Sequence, residues 1–293
     1  MSLIVSKKPK LIFHSGLGNQ LFQWAFFQVM LSKGTQISPA YVPALTSIDR
    51  PPQLYDLMKS QLLTLEKVSD FRYRSHSFLR KRFPSFGFSQ TGFLDFRARP
   101  FDIPSEKEVR RASILTGYFQ DFEYIQKHQE IVIPKLLNHI KKVPIPDLEL
   151  QNSNVIHVRG GDLKDPENFK KYGILGLEYY ETLPLDRNLN TIIVTDDLER
   201  AELIAARIQV DQVIGPDQLD PWQALRIMVD SRNLYAANST LSLWASFLRS
   251  SQHVVSFVPN PIFRDPDFDH FGSLSVGETN LLSAKFESCS ESH

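Results

Sequence analysis

The apolar positions near the start of the chain predict a strand followed by a helix. A short apolar run, "LIFH", lies at residues 11–14, and residues 10–14 are predicted to form a strand buried on both faces. Apolar residues then recur at the helical period, as Leu21, Phe22, Ala25, Phe26, Val29 and Met30. We expect Asn19 to cap this helix and Gly34 to end it.

From about residue 150 onward, strand patterns and helix patterns alternate. Strands are predicted at 155–159, 191–195, 233–238 and 253–257. Helices are predicted at about 177–184, 198–207, 221–231 and 240–249. Strands that alternate with helices form parallel sheets, so we predict an α/β protein.

A domain boundary is predicted where Pro144, Pro146 and polar residues interrupt the pattern, near residues 143–152. It divides the chain into domains 1–148 and 149–293. The length of 293 residues fits two domains or one large α/β unit.

Residues 71–100 differ from the rest of the first domain. They include seven Lys or Arg, one Asp and eight aromatic residues, without a clear period. Three interpretations stay open: a solvated insertion anchored by a few aromatic side chains, a surface for an anionic or lipid-linked acceptor, and a nucleic-acid surface. The formal net charge of zero argues against nucleic acid as a partner of the whole chain.

Composition indicates where the protein works. Its one cysteine, Cys289, excludes a disulfide framework, as is usual in a reducing compartment. No apolar signal core precedes the first strand, and no apolar run approaches the length of a membrane-spanning helix. We therefore expect a cytoplasmic protein, with peripheral contact to the inner membrane as an open alternative.

The loop after the first strand, "SGLGNQ" at 15–20, looks at first like a phosphate-binding loop. A dinucleotide fingerprint requires a third glycine, and Leu21 stands in its place. The loop is therefore not predicted to bind NAD.

The segment "IHVRGGD" places two candidate ligand contacts at a strand end. Side chains alternate along a strand, so His157 and Arg159 share one face. Ligands of open α/β sheets bind beyond the carboxyl ends of strands, and the arginine fork suits phosphate oxygens. The alternative is a surface arginine beside a structural histidine.

Two other segments carry candidate chemistry. In "AANSTLSLWASFL", Asn238, Ser239 and Thr240 lead into a helix, whose first N–H groups favour an anion, with ordinary capping as the alternative. Asp196 and Asp197 follow a strand in "TDD", where they could cap a helix, contact a ligand or bind a metal. The D-x-D pair Asp265 and Asp267 lies in a Pro-rich loop instead, which argues against a metal site.

Together these segments resemble the inverting alpha-1,2-fucosyltransferase family, which uses GDP-fucose. The family motifs "GxGNQLFQYA", "GYFQS", "HVRRGD", "SDD" and "ANSSFSWWAA" correspond to "GLGNQLFQWA" (16–25), "GYFQD" (117–121), "HVRGGD" (157–162), "TDD" (195–197) and "ANSTLSLWAS" (237–246). Their order and spacing hold over about residues 10–250.

The resemblance implies a GT-B-like fold of two Rossmann-type domains, with GDP-fucose in the cleft between them. The first domain would then lie on the acceptor side, and the second would bind the donor. Arg159 matches an arginine thought to hold the β-phosphate, and Asp197 matches an acid that positions the donor or its fucose. The donor-binding residues would be Gly18, Asn19, His157, Arg159, Asp197, Asn238, Ser239 and Thr240, with no metal.

The chain departs from the family at two positions. Gly160 stands where the family has a second arginine, and Ala224 stands where it usually has an acid that could recognise guanine. Asp220, one helical turn earlier, could compensate for Ala224.

Three acids are candidates for the residue that accepts the proton. Asp162, Asp165 and Glu167 all follow the "HVR" strand. Glu167 is expected to be the proton acceptor, since a more distant fucosyltransferase group has a glutamate at the same offset from its arginine.

The expected reaction is transfer of L-fucose from GDP-fucose to O2 of a terminal β-galactose, with inversion and without metal. The expected partners are GDP-fucose and a β-galactoside glycan. Two alternatives stay open: a related glycosyltransferase of different linkage, and a binding module without catalysis.

Overall fold

The computed structural model describes residues 8–43, 52–70, 73, 93–267 and 279–287. The chain divides into two compact units, Met1–Lys135 and Leu136–His293. This division lies before the predicted boundary at 148 and 149. The intervening residues contact the second unit: the rings of His139 and Trp222 are 4.5 Å apart, Gln223 Nε2 donates to the Pro144 carbonyl over 2.9 Å, and Arg226 donates to the Val143 carbonyl.

The first unit contains an open parallel sheet. Its strands are β1 (Lys10–Phe13), β2 (Ser38–Tyr41), β3 (Glu66–Lys67), β4 (Phe93–Asp95) and β5 (Ile114–Thr116), in the order β3-β2-β1-β5-β4. Every pairing in it is parallel. The helices are α1 (Leu17–Ser32), α2 (Tyr55–Ser60), α3 (Glu106–Arg111), α4 (Phe122–Gln126) and α5 (Gln129–Ile140), the last of which crosses the division.

The second unit contains a larger parallel sheet. Its strands are β6 (Ser153–Val158), β7 (Asn190–Thr195), β8 (Gln212–Ile214), β9 (Asn233–Tyr235), β10 (Ser256–Asn260) and β11 (Thr279–Ser283). The helices are α6 (Pro166–Tyr172), α7 (Leu177–Glu181), α8 (Leu198–Ala205), α9 (Pro221–Asp230) and α10 (Thr240–Ser250). Short 3₁₀ turns lie at Leu150–Asn152 and Gly161–Lys164.

The strand order of the second unit defines its fold. The order is β11-β10-β9-β6-β7-β8, and all pairings are parallel. This is the doubly wound order of the Rossmann fold, in which the strand order reverses between β6 and β9. Ligands of such sheets bind outside the carboxyl ends of the two strands at that switch point.

The two faces of β6 pack on different helices. Ile156 and Val158 lie in a core cluster with Tyr179, Tyr180 and Ile204, from α7 and α8. His157, on the opposite face, contacts Ser242 of α10. Helices therefore cover both faces of the strand, as a parallel sheet requires.

The predicted α/β class with two parallel-sheet domains is confirmed. The strands predicted at 155–159 and 191–195 and the helices predicted at 221–231 and 240–249 are present, with ends shifted by one or two residues. The last predicted strand, 253–257, is displaced to Ser256–Asn260.

The prediction that Asn19 caps the first helix is wrong. Helix α1 begins at Leu17, and Gly16 is its N-cap residue, so Asn19 lies inside the first turn. The helix also buries residues on every side, Gln20, Gln23 and Gln28 included. The apolar stripe was therefore only part of a fully buried helix, and its first residue did not mark the helix start.

The basic and aromatic segment at 71–100 falls mostly outside the described residues, which include only Tyr73 and residues from 93 onward. Among the helices that the structure describes, none has both the length and the apolar character needed to cross a membrane.

Candidate functional site

The switch point of the second sheet brings together two of the predicted segments. Arg159 follows β6, and Ser239 and Thr240 follow β9, the strand beside it. Arg159 Nη1 donates a hydrogen bond to Ser239 Oγ over 3.2 Å. The guanidinium group is therefore held at the start of α10, where the position of a ligand in this fold is expected.

The start of α10 is well formed for an anion. Ser239 is its N-cap residue, and its Oγ accepts from Leu241 N over 3.3 Å. The helix is 11 residues long, so its first N–H groups carry the partial positive charge of a full helix dipole. Both the capping role and the anion-binding role predicted for this segment are compatible with this geometry.

The side chain of Asn238 binds the backbone of a neighbouring turn. Its Nδ2 donates to the carbonyls of Tyr172 and Gly173, over 3.0 and 2.9 Å. The side chain is buried and fixes the turn that ends α6. Asn238 was predicted to bind the donor, and the structure places its amide on this turn.

The same turn is held from its other side by residues near the end of the described chain. Gly173 has a φ of +69°, and a Cβ there would lie 2.6 Å from the ring of Phe286. Glu287 forms an ion pair of 2.6 Å with Arg200, a residue of α8; Arg200 is buried and Glu287 is partly buried. The segment 279–287 therefore braces both α8 and the turn beside Asn238.

Arg159 also pairs with a carboxylate. Its Nη2 lies 2.7 and 2.9 Å from the two oxygens of Asp162, whose side chain is 60% exposed. Ion pairs this exposed contribute at most about 1 kcal/mol. The guanidinium can therefore exchange Asp162 for a stronger anion at small cost.

His157 and Arg159 share a face of β6, as the alternation of side chains predicted. His157 is buried, and its Nδ1 forms a hydrogen bond with Ser242 Oγ, which also accepts from Ala237 N over 3.3 Å. Burial lowers the pKa of His157 from 6.5 to about 4, with Asp196 opposing this effect and Arg159 adding to it. The ring is therefore neutral at pH 7, and the Nδ1 edge is used inside the protein.

The two acids after β7 have different partners. Asp196 Oδ1 accepts hydrogen bonds from the backbone N–H groups of Gly160 and Gly161, over 2.9 and 3.3 Å. Asp197 is the N-cap residue of α8, where its Oδ1 accepts from Arg200 N over 3.3 Å. The capping role considered for this pair is therefore present, while a catalytic or donor-positioning role for Asp197 stays a prediction.

Gly160, the first departure from the family pattern, has a physical reason. A Cβ built on Gly160 would lie 2.2 Å from Asp197 Oδ2 and 2.9 Å from Asp197 Cβ. No side chain fits at position 160 while Asp197 keeps this position. An arginine at 160 therefore requires a different arrangement of Asp197.

Glu167, the predicted proton acceptor, lies on the surface. It is exposed in the first turn of α6, where its N–H donates to Asp165 Oδ1 over 3.0 Å. Its carboxylate has no hydrogen bond or ion pair with any other residue that the structure describes. It is therefore available to a substrate, and its catalytic role stays a prediction.

In the first unit, Asn19 joins two of the motifs. Its Nδ2 donates to Ser15 Oγ over 2.8 Å, and its Oδ1 accepts from Gln120 Nε2 over 2.6 Å. Gln23 makes a second link, by donating to the Gly117 carbonyl over 3.0 Å. The "GLGNQ" and "GYFQD" segments therefore form one hydrogen-bonded group, while Gly18 is buried in the first turn of α1.

Sequence reasoning missed a polar cluster in the first unit. His14, which directly follows β1, is buried, and burial together with Arg97 lowers its pKa to about 4. Its ring lies 5.0 Å from that of Tyr118. Arg97 forms a two-pronged pair with Asp95 over 3.0 and 2.7 Å. His14 was visible as the last residue of "LIFH", but nothing in the sequence paired it with residues near 95.

Lys164 was also missed. Its Nζ lies 2.9 Å from Asp197 Oδ2 and 3.5 Å from Glu199 Oε2. The hydrogen bond to Asp197 is the main reason that the pKa of Lys164 is raised. The sequence signal that could have identified Lys164 is its position shortly after the strand that ends in "HVR".

The remaining candidates form local structure. Asp220 caps α9 in a capping box with Gln223, so its carboxylate is occupied by backbone N–H groups. Asp265 accepts from Asp267 N over 3.0 Å within its own loop. Within the described ranges, no group of three or more His, Cys, Asp or Glu side chains is arranged to hold a metal ion.

Comparisons with known proteins identify relatives among bacterial glycosyltransferases. The chain is 24% identical over 282 aligned positions to an O-antigen biosynthesis glycosyltransferase, WbnK of Escherichia coli, covering 85% of this chain and 92% of that protein. It is 25% identical over 171 positions to an alpha-1,2-colitosyltransferase of E. coli, covering 53% of this chain and 58% of that protein. No family model matches the chain.

A solved structure similar to this chain is the E. coli heptosyltransferase WaaC with ADP, at a TM-score of 0.48 and 10% identity, covering 95% of this chain and 93% of that one. The fold assignment rests on the strand orders described above. The sequence relatives support a glycosyltransferase of the kind found in O-antigen biosynthesis. Fucose, galactose and the α-1,2 linkage stay predictions.

Replacing Gly160 by alanine should destabilise the second unit. The new Cβ would displace Asp197 from its cap on α8 and from Lys164, at a cost of about 1–3 kcal/mol. Gly161→Ala is the matched control, because its Cβ would meet Asp196 Oδ2 at 3.3 Å. Urea denaturation measures both, and equal losses in the two variants would contradict the role of Asp197.

The stability of the second unit should depend on pH through His157. Its folded pKa is about 4, against 6.5 in the unfolded chain, so the unfolded state binds the proton first as pH falls. The stabilisation from the neutral His157 is therefore present above pH 6.5 and is lost between pH 6.5 and 4. The free energy of unfolding should be lower by about 2 kcal/mol at pH 5 than at pH 7.

Denaturation at pH 7 and pH 5 tests this dependence. His157→Gln should reduce the difference between the two pH values, whereas His253→Asn, at an exposed position, should keep it. An unchanged pH dependence in the His157 variant would show that other groups cause it.

Proposed function

We propose that the protein transfers L-fucose from GDP-fucose to O2 of a terminal β-galactose, with inversion and without metal, to form an α-1,2 linkage in a surface glycan. The observation that carries the proposal is the contact between Arg159 and Ser239 at the switch point of the second sheet. It joins a guanidinium fork to a helix N-terminus, and both groups favour the diphosphate of a nucleotide sugar.

The donor half of the site would work by charge stabilisation. The acceptor oxygen forms a bond to the anomeric carbon while the bond from that carbon to the diphosphate oxygen breaks. The electron pair leaves with GDP, and negative charge grows on the diphosphate. Arg159 and the N–H groups at the start of α10 would stabilise that charge, and the Ser239 and Thr240 hydroxyls would add donors.

In this scheme Asp162 pairs with Arg159 until the donor binds. The incoming diphosphate would replace the carboxylate on Nη2, while Nη1 keeps its bond to Ser239. The neutral ring of His157 would support the donor site from the same face of β6.

The acceptor hydroxyl must lose a proton, and we propose Glu167 as its acceptor. Its side chain is exposed and has no hydrogen bond or ion pair with another described residue, so its carboxylate is accessible to a sugar hydroxyl. Asp197 is proposed to position the donor, with one oxygen on the cap of α8 and the other on Lys164.

The comparisons support a second candidate donor. One relative is an alpha-1,2-colitosyltransferase, so colitose is the alternative transferred sugar, with the same α-1,2 linkage. A binding module without catalysis is the remaining alternative, because Gly160 and Ala224 depart from the family pattern.

Incubation with GDP-fucose and simple β-galactosides separates these functions. A fucosylated product with an α-1,2 linkage by NMR is the expected result, and it should form equally in excess EDTA. Transfer from a nucleotide-linked colitose alone would favour the second donor. GDP binding without product from either donor would favour the binding module, and strict dependence on Mn²⁺ would contradict the metal-free reaction.

Arg159→Ala should lower turnover by at least about a hundredfold, because one preorganised donor to the leaving group is lost. Arg159→Lys keeps the positive charge but loses the planar fork of the guanidinium group. Its turnover should therefore lie between those of the wild type and Arg159→Ala. Arg207→Ala removes an exposed arginine of the same unit and serves as the control. Steady-state kinetics on variants with normal thermal unfolding checks this, and turnover close to wild type in Arg159→Ala would reject the assignment of Arg159.

Glu167→Gln should leave GDP affinity unchanged and lower turnover by about a hundredfold or more, as expected when a proton acceptor is removed. Glu178→Gln, another exposed glutamate of this unit, should have normal turnover. Calorimetric titration with GDP and initial-rate measurements provide the two readouts. Normal turnover in Glu167→Gln would exclude it as the proton acceptor.

A further inference from the structure

Lys164 places a positive charge at the carboxyl edge of β6 and β7, beside Gly160, where Asp197 leaves no room for a side chain. Asp197 Oδ2 lies 2.2 Å from the position of a Cβ on Gly160 and 2.9 Å from Lys164 Nζ. The same carboxylate oxygen is thus adjacent to the Cβ position of residue 160 and to the Lys164 ammonium group. The ammonium group of Lys164 therefore lies close to the space that a side chain of residue 160 would enter.

The backbone explains how Lys164 reaches this place. After Gly160 the chain turns through the 3₁₀ segment Gly161–Lys164, and Asp196 accepts hydrogen bonds from the N–H groups of Gly160 and Gly161 at its start. The turn directs Lys164 back toward the end of β7, where it contacts Asp197 and Glu199. Its side chain is still 54% exposed, so its head group is accessible to a ligand.

The charges at this edge show why the cation matters. Asp196 is compensated by two backbone N–H groups, and Asp162 by Arg159. Asp197 has one capping N–H and Lys164. Without Lys164, a diphosphate would approach a buried carboxylate that has only its capping N–H. With it, the carboxylate is paired, and the ammonium hydrogens not directed at Asp197 and Glu199 can face the ligand.

We infer that Lys164 is a second phosphate-binding cation of the donor site, in the place of a side chain at position 160, and that it contacts the diphosphate of the nucleotide sugar. This inference rests on the proposed function. It explains how the site keeps two cations, Arg159 and Lys164, although Asp197 excludes an arginine at 160. A lysine ammonium is a compact point charge that suits phosphate oxygens without a fixed orientation.

Titration with GDP and with guanosine tests the inference. Lys164→Ala should weaken GDP binding about tenfold, as the loss of one charge-assisted contact predicts, and should leave guanosine binding within about twofold. Lys164→Arg should keep most of the GDP affinity. Lys170→Ala, an exposed lysine on α6, is the matched control and should bind GDP normally. Calorimetry follows GDP, and ligand-observed NMR follows the weaker guanosine.

The outcomes separate this inference from the proposed function. If the wild type binds GDP and Lys164→Ala binds it with equal affinity, the inference is overturned and the proposed function is left intact. A similar loss for GDP and guanosine also overturns it, because Lys164 would then act only through Asp197. A wild-type chain that binds no GDP overturns both. Lys164→Gln repeats the test if the alanine variant is unstable by thermal unfolding.

Discussion

The hydrogen bonds from Gly160 and Gly161 to Asp196 fix the geometry on which the rest of the donor-side site depends. They tie the turn after β6 to the end of β7, across two neighbouring parallel strands. Because the turn is held there, Arg159 points toward α10, position 160 meets Asp197, and Lys164 returns to the same carboxylate. Two glycines allow the backbone to approach the acids this closely.

Much of this arrangement could be predicted from the sequence, because it follows from strand topology. The strands that end in "HVR" and "YAAN" were both recognisable, and parallel strands place their carboxyl ends at one edge of the sheet. That was enough to bring Arg159 and Ser239 together. The shared face of His157 and Arg159 followed from side-chain alternation alone.

The missed features depend on contacts that no local pattern encodes. Lys164 became part of the edge only through the path of the Gly160–Gly161 turn, which Asp196 determines. The cap position predicted for Asn19 is wrong because the apolar stripe begins at Leu21, whereas the buried helix already begins at Leu17. His14 lies within electrostatic range of Asp95 and Arg97, which are far from it in the sequence, because the strand order of the first sheet places only β5 between β1 and β4.

The brace formed by residues 279–287 also gives the edge contacts between distant parts of the sequence. It supports the turn held by Asn238 and the helix capped by Asp197. Arg200 and Glu287 are 87 positions apart, and Leu175 forms a bridge with Phe286. Closing loops of this length costs chain entropy before the contacts that reward it can form. We therefore expect the edge of the second sheet to gain its full order late in folding, when β11 pairs with β10 and Glu287 reaches Arg200.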